Sequence, residues 1–150
     1  MKGNVMHKQK GVTLLELMIV AAIIAIIGAF AYPSYMEYVV RTKRTAAATM
    51  LMQVADRQQQ FFMDNKRYAA NLTRLGFAAD AITIDEDGQI IPNGAADQVY
   101  TVAVSASTAT TYTLTATPQA VQAKRDTKCG NMTLTHTGEK GHSGAGADCW

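Results

Sequence analysis

The chain has 150 residues, of which 48% are hydrophobic and 17% are charged, with 14 Lys and Arg against 12 Asp and Glu. This length is typical of roughly one domain, and the charged share lies below the roughly 25% of average soluble proteins. The hydrophobic share is too ordinary for a protein that spans a membrane several times, so any membrane segment must be concentrated in one place. A net charge of +2 argues against a nucleic-acid-coating protein, and two Cys are too few for a disulfide-scaffold miniprotein or a four-Cys zinc site.

An apolar segment lies close to the N-terminus. Residues 1–11 contain three Lys and no acidic residue, whereas residues 12–32 have only Thr13 and Glu16 as clearly polar residues. A helix of about 20 apolar residues can span a bilayer. The segment is longer than the apolar core of roughly 7–15 residues in a secretory signal, and no convincing cleavage site follows it. A plain N-terminal membrane anchor is the simplest interpretation.

Glu16 does not suit a plain anchor, because an ionised carboxylate in hydrocarbon costs about 2.5–3.5 kcal/mol on insertion scales. Glu16 lies four residues after Val12, which is about one helical turn, or roughly 6 Å. Cleavage between Gly11 and Val12 would create an ammonium group near the same depth. Such an ammonium on one subunit could neutralise Glu16 of its neighbour.

The order Gly11-Val12-Thr13-Leu14-Leu15-Glu16, between a basic leader and an apolar helix, resembles the processing motif of the type IV pilins. The resemblance implies that a prepilin peptidase cleaves after Gly11 on the cytoplasmic side and methylates the new terminal amine of Val12. It also implies that Glu16 is the assembly carboxylate. The sequence departs from the family at Val12, where Phe is usual.

The resemblance divides the chain into a prepilin leader over 1–11, a transmembrane and assembly helix over 12–33, and a periplasmic globular domain over 34–150. Basic residues on the two sides of the helix are nearly balanced, so the orientation depends on the resemblance. Gly28 and Pro33 interrupt the apolar helix, and Pro33 removes a backbone hydrogen bond, so we expect a kink there. The resemblance implies that this part of the helix can unwind on filament assembly.

The helix is expected to continue beyond the membrane, because no Gly or Pro occurs from Ser34 to about Asp64 and good helix formers dominate. Its apolar residues follow a helical period and predict the face that packs on a local sheet. These residues are Ala47, Met50, Leu51, Val54 and Phe61.

Beyond Arg67 the pattern predicts a connecting loop over about 66–97 and then strands. Within the loop, residues 81–84 and 89–91 form a small hairpin, and the strand candidates that follow are 99–104, 112–115 and 131–137. The short connections favour an antiparallel sheet. We therefore predict an α+β, type IV pilin-like fold in which one long helix packs on a sheet of three or four strands.

Two further segments resemble the type IVa, PilE-like minor pilins. They are the helix-end segment from Phe61 to Tyr68, with the Leu72 and Leu75-Gly76-Phe77 positions that follow it, and the C-terminal Cys149-Trp150. The aromatic side chains of the first segment are suited to anchor the connection between helix and sheet.

Cys129 and Cys149 lie near the C-terminus in a Gly-rich stretch, with 19 residues between them. A disulfide is the natural pairing in an oxidising compartment, and two free or buried thiols are the alternative. Many type IV pilins close a C-terminal loop in this way, so the resemblance favours the bridge and an exposed contact loop. The polar residues of that loop include Lys140, His142, Ser143 and Asp148.

The sequence predicts neither an enzyme nor a cofactor. It has no phosphate-binding G-x-x-x-x-G-K-[ST] loop, so energy for assembly must come from another protein. The three His and two Cys make a poor zinc pattern, and Asp85-Glu86-Asp87-Gly88 lacks the remaining ligands of a calcium loop, which favours a solvated turn. No nucleophile has a matching base, and we predict no metal site.

The leading functional prediction is a minor subunit of a type IV pilus that supports pilus biogenesis, twitching motility, adhesion or DNA uptake. The subunit would be a single-pass protein of the bacterial inner membrane and of the extracellular fibre. Its expected partners are other pilin subunits, the prepilin peptidase and the inner-membrane assembly platform. One alternative is a type II secretion pseudopilin, which shares the processing motif and the helix.

A second alternative is a DNA-binding competence pilin, with nucleic acid as a further partner. Loss of the three leader Lys would leave 11 of the 14 basic side chains against 12 acidic ones, a net charge of about −1. A solvated charged face is therefore the preferred interpretation of the basic residues. The phosphate contacts in the competence alternative would be Arg41, Lys43, Arg44, Lys124, Arg125 and Lys128.

Overall fold

A computed structural model describes residues 12–150 of the chain. These residues form two compact units, of which the first ends at Glu37 and the second spans Tyr38–Trp150. The predicted leader and the predicted cleavage residue Gly11 lie outside the described residues.

Helix α1 spans Leu14–Asn65, in agreement with the predicted long helix. Thr13 caps its N-terminus, because its Oγ1 accepts a hydrogen bond from the backbone N–H of Glu16 at 3.2 Å. Helix α1 continues through Pro33. In the first unit, the most apolar stretch is long enough to cross a membrane, and none of its side chains is buried.

The second unit contains a six-stranded antiparallel sheet with the order β2-β1-β3-β4-β5-β6. A short 3-10 turn, Thr73–Leu75, precedes the sheet, and helix α2 lies between β4 and β5 in the chain. The bounds are β1 Ala81–Ile84, β2 Ile90–Ile91, β3 Tyr100–Ser107, β4 Tyr112–Pro118, α2 Ala120–Arg125, β5 Met132–Thr135 and β6 Lys140–His142.

The prediction of three or four strands is wrong, because the sheet has six. The predicted hairpin in the connecting loop does form, but its first strand also joins the main sheet, where Ile82 pairs with Val102 and Ile84 with Tyr100. Both Ile side chains are buried, so pairing with β3 brings them into the core. Strand β6 was not predicted because Lys-Gly-His has no run of strand-forming residues.

The predicted amphipathic stripe forms the helical side of the core. Ala47, Leu51 and Val54 are completely buried, and Phe61 packs at the edge of the same cluster. Alternate residues of the central strands supply the other side, as expected for a sheet with one covered face. The sheet side includes Val102, Leu114, Ala116, Met132 and Leu134.

Gln58 continues the helical stripe but was not predicted in the core, because it is polar. Its side chain is fully buried. Its amide Nε2 donates to the Ala69 carbonyl oxygen at 2.9 Å, and its Oε1 accepts from the Ala69 N–H at 2.8 Å. The two bonds satisfy both ends of the amide and fix the chain where it leaves α1.

Aromatic side chains stabilise the same connection, as the sequence predicts. The Tyr68 ring lies 4.7 Å from the ring of Phe62 and 4.7 Å, edge to face, from that of Tyr112. Such pairs contribute roughly 0.5–1.5 kcal/mol beyond their burial. They hold the segment after α1 against strand β4.

Candidate functional site

The N-terminal motif is described from Val12 onward. Val12 and Glu16 are exposed in the first unit, and Glu16 is the acidic residue of the first turn of α1. Thr13 and Glu16 have the spacing of a capping box, in which the N3 residue is Glu or Gln. Capping is therefore a second role that the motif performs locally, beside the assembly role expected for the carboxylate.

Gly28 and Pro33 were predicted to mark a weak part of the helix. They lie within α1, and a Cβ on Gly28 would meet no atom within 4 Å apart from its chain neighbours and the local helix backbone. Helix α1 continues through both residues. Unwinding of this part on assembly stays a prediction.

A buried polar cluster ties α1 to α2 in the second unit. Asp126 accepts hydrogen bonds from Arg44, at 2.6 and 3.1 Å, and from the Tyr100 hydroxyl, at 2.6 Å. Gln122 lies beside them, and its Nε2 donates to the Tyr100 hydroxyl oxygen at 3.1 Å and to the Val40 carbonyl oxygen at 3.2 Å. No buried side-chain N or O among residues 12–150 is left without a partner.

The ionisation of this cluster follows from its contacts. The hydrogen bond from Arg44 to Asp126 raises the pKa of the guanidinium, which keeps its positive charge. Burial, and then the hydrogen bond to Asp126, raises the pKa of Tyr100 above its ordinary value, so the phenol stays neutral. The positive charge of Arg44 is paired with the buried carboxylate of Asp126, so Arg44 is poorly suited to bind a phosphate.

Cys129 and Cys149 form the disulfide that the sequence predicts. The bridge holds the C-terminal segment against the chain before β5, where Gly144 N–H donates to the Cys129 carbonyl oxygen and Gly146 N–H to that of Lys128. A Cβ on Gly144 would collide with the Lys128 carbonyl, so this approach requires glycine. The bridged segment is therefore an ordered part of the second unit.

A groove of about 280 Å³ lies between α1 and the bridged C-terminal segment. Trp150 lies on its C-terminal side, where the indole Nε1–H donates to the Gly141 carbonyl oxygen at 2.9 Å. The Lys140 ammonium lies 5.3 Å from the centre of the Trp150 ring. The residues lining the groove are Arg41, Arg44, Thr45, Ala48, Thr49, Met52, Met132, Lys140, Asp148, Cys149 and Trp150.

The six basic residues considered as phosphate contacts fall into two groups. Arg44 is paired with Asp126, and Lys43 lies 3.1 Å from Glu86. Arg41, Lys124 and Arg125 are exposed and form no ion pair within residues 12–150. Lys128 is exposed too, and it has a partner within the chain.

Sequence reasoning did not bring together Lys140, Trp150 and Arg41, which the structure places around one groove. Lys140 begins β6, a strand that the sequence did not predict. The signal available beforehand was the cationic and aromatic composition of the C-terminal loop. Lys140 and the half-buried Trp150 thus place a cation beside an aromatic ring, and nucleic acids contact cations through their phosphates and aromatic rings through their bases.

Among residues 12–150, no group of three or more His, Cys, Asp or Glu side chains could hold a metal ion. The Asp85 carboxylate accepts hydrogen bonds from the backbone N–H groups of Asp87 and Gln89, at 3.0 and 2.8 Å. The acidic stretch therefore closes the turn between β1 and β2 with its own backbone.

Two family models match the sequence. The model described as "Type IV minor pilin ComP, DNA uptake sequence receptor" matches residues 33–133. The model described as "Prokaryotic N-terminal methylation motif" matches residues 6–32. The two matches are contiguous and together include the processing motif, the whole of α1, and the sheet as far as the start of β5.

Several curated pilins and fimbrial proteins are similar to part of this chain. The type IV major pilin protein PilA of Myxococcus xanthus is 38% identical over 73 residues, which is 49% of this chain and 33% of that protein. The fimbrial protein EcpC of Eikenella corrodens is 38% identical over 71 residues, or 47% of this chain and 46% of that protein. A fimbrial protein of Moraxella nonliquefaciens is 51% identical over 45 residues, which is 30% of this chain and 29% of that protein. The chain thus spans less than half the length of each of these relatives.

Proposed function

The chain belongs to the family of type IV minor pilins described as ComP, DNA uptake sequence receptor, and from this membership we propose that it is a minor pilus subunit that binds DNA for uptake. As a subunit of a fibre it would act by assembly and binding, without catalysis. Its partners would be other pilin subunits, the prepilin peptidase and the inner-membrane assembly platform.

The proposal assigns the N-terminal motif to processing and assembly. Prepilin peptidase would cleave between Gly11 and Val12 and methylate Val12, after which Glu16 would pair with the terminal ammonium of a neighbouring subunit. The match to the methylation motif over residues 6–32 supports this assignment. The exposed apolar side chains of the first unit support burial first in a membrane and later in a fibre. The second unit would lie on the periplasmic side of that membrane.

The observation that carries the DNA-binding part is the groove between α1 and the C-terminal segment. Arg41 and Lys140 supply two positive charges at the groove, and neither is neutralised by an ion pair within residues 12–150. Trp150 supplies an aromatic surface beside Lys140. Cations bind phosphates, and an aromatic ring can stack on a base, so the groove combines both kinds of contact.

Of the six basic residues considered as phosphate contacts, the proposal uses Arg41 at the groove. Lys43 and Arg44 have carboxylate partners and are left out of the DNA contacts. The pseudopilin alternative is less favoured, because the matched family is described as a minor pilin and a DNA uptake receptor, and the relatives are named as pilins or fimbrial proteins.

DNA binding by the full chain in detergent tests the proposal, with affinity measured over a series of salt concentrations. The variant Arg41→Gln with Lys140→Gln should bind more weakly at every salt concentration. Its slope of log affinity against log salt should fall in magnitude by about 1.8, since each lost phosphate contact with duplex DNA accounts for about 0.9. The matched control is Lys66→Gln with Arg67→Gln, which removes the same charge just after the C-terminal end of α1.

The control variant should retain the affinity and the salt slope of the unaltered chain. Equal weakening in both variants would mean that total charge, and not the groove, determines binding. A chain that binds no DNA at low salt would contradict the receptor function, while leaving the assembly role to be judged from fibres.

A further inference from the structure

The short helix α2 presents a surface that the proposed DNA groove does not use. We propose that this surface, formed by Val121, Lys124 and Arg125 and called here the α2 face, docks on anionic phospholipid headgroups of the membrane that holds the apolar segment. The proposal rests on membrane anchoring as part of the proposed function. It goes further by assigning a lipid-binding surface to the second unit.

The spacing of the three residues places them on one side of α2. Lys124 and Arg125 lie three and four residues after Val121, and residues at these two spacings are neighbours on a helix surface. Val121 is 56% exposed, Lys124 and Arg125 are exposed, and neither cation forms an ion pair within residues 12–150. A side chain with this exposure is available to a partner.

The buried residues of α2 show which side is attached to the protein. Gln122 and the capping residue Asp126 are 4% and 1% exposed, and they are four residues apart. Gln122 bonds to the Val40 carbonyl, and Asp126 pairs with Arg44, which is also four residues after Val40. Helix α2 therefore lies alongside α1 over this turn, with its α2 face directed away from these contacts.

The position of α2 in the second unit favours a membrane as the occupant. The chain enters this unit at Tyr38, directly after the segment that includes the candidate membrane span, and Val40 lies two residues further on. Tyr38 is 67% exposed, and exposed tyrosines are enriched at the membrane–water interface. Helix α2 is thus attached to α1 close to the residue at which the chain enters this unit.

The chemistry of the α2 face matches anionic headgroups. Negatively charged lipids attract Lys and Arg close to the membrane surface. The long stems of these side chains can lie along the apolar boundary while their charged ends reach phosphates, and Val121 adds an apolar contact. A nucleic acid would use the two cations, but it offers no matching apolar layer for Val121.

Hydrogen exchange of the full chain in lipid nanodiscs tests this proposal. Backbone exchange over Ala120–Arg125 should be several-fold slower in nanodiscs of phosphatidylcholine with phosphatidylglycerol than in nanodiscs of phosphatidylcholine alone. High salt should reduce the difference. The variant Lys124→Gln with Arg125→Gln should abolish it, and Val121→Gln should reduce it, whereas the control Lys66→Gln with Arg67→Gln should leave it unchanged.

Equal exchange over α2 in the two lipid compositions would overturn the proposal. A lipid-dependent slowing that persists in Lys124→Gln with Arg125→Gln would also overturn it, because the two cations would not be its cause. Retention of the chain in the nanodisc is scored separately. Failure of the chain to remain in either nanodisc would contradict the membrane anchor of the proposed function and, with it, this proposal.

Discussion

Arg44 and Asp126 form a two-point ion pair in which Nη2 lies 2.6 Å from Oδ1 and Nε lies 3.1 Å from Oδ2. The Asp126 side chain is completely buried, and that of Arg44 is 11% exposed. Arg44 Nη1 also donates to the Asp148 carbonyl oxygen at 3.1 Å, and Tyr100 donates to Asp126. One guanidinium therefore links α1 to α2, to β3 through the shared carboxylate, and to the C-terminal segment.

Removal of the Arg44 guanidinium should destabilise the second unit strongly. Arg44→Met should lower the free energy of unfolding by about 3–5 kcal/mol, because it leaves the buried Asp126 carboxylate without its ionic partner. The measurement is denaturant unfolding of the full chain in detergent. Arg44→Met with Asp126→Leu should recover part of the loss, since the stranded charge is gone. A loss below about 1 kcal/mol for Arg44→Met would place the pair among weak surface pairs and contradict its structural role.

Tyr100 should make stability fall at alkaline pH. Burial and the Asp126 hydrogen bond raise the pKa of the Tyr100 phenol in the folded chain above its ordinary value of about 10. The contribution of the neutral phenol is therefore complete below about pH 10. It decreases as the pH rises from that value towards the folded-state pKa, because the unfolded chain loses the proton first.

Tyr100→Phe isolates this effect. At neutral pH the variant should be less stable by about 1.5–3 kcal/mol, the usual value of a hydrogen bond to a charged group. Between neutral pH and about pH 11 its free energy of unfolding should decline less than that of the unaltered chain. Denaturant unfolding across this pH range measures both quantities. Parallel pH profiles would show that another group, such as Tyr112, whose pKa is also raised by burial, dominates the alkaline decline.

The sequence predicted those features that have a local period. The stripe from Ala47 to Val54 repeats at helical spacing, and the alternation in β4 and β5 matches the buried residues Leu114, Met132 and Leu134. The disulfide between the two Cys was predicted as well. These features depend on neighbouring residues or on a residue type with few possible partners.

Other features depend on pairings between distant residues and left no local signal. Arg44 and Asp126 are 82 positions apart, and each on its own suggests only a solvated charge. Lys140 and Trp150 meet because β6 forms, and β6 forms by pairing with β5 despite its poor strand composition. Gln58 was missed because its buried amide is tolerated only through the two bonds to Ala69.

The disulfide should stabilise the C-terminal segment more than the helix. Cys129→Ser with Cys149→Ser removes the bridge without leaving a free thiol, and it should cost about 3 kcal/mol, the chain-entropy value for a loop of about 20 residues. Hydrogen exchange should accelerate over residues 130–148 and change little in α1. Unchanged exchange over 130–148 would mean that the bridge contributes nothing to the order of this segment.

The predicted assembly role of the Glu16 carboxylate can be separated by substitution from the helix capping by Thr13. Glu16→Gln removes the charge and keeps the backbone N–H that donates to the Thr13 hydroxyl oxygen. We expect this variant to insert into the membrane normally and to be incorporated poorly into fibres, because the ammonium of the neighbouring subunit loses its ionic partner. Immunodetection of the variant in membranes and in sheared fibres measures both steps.

Thr13→Val serves as the control for capping, since it removes the hydroxyl that accepts the Glu16 N–H and leaves the carboxylate in place. It should be incorporated better than Glu16→Gln. Incorporation of Glu16→Gln at the level of the unaltered chain would contradict the assembly role of this carboxylate.

Intact mass and N-terminal sequencing of the protein, recovered from membranes and from sheared surface fibres of its native host, test the central claim of a processed pilus subunit most directly. The expected result is a chain that begins at N-methylated Val12, carries the Cys129–Cys149 bridge, and occurs in fibres as a minor component. A chain that retains residues 1–11 and occurs only in membranes would contradict the claim.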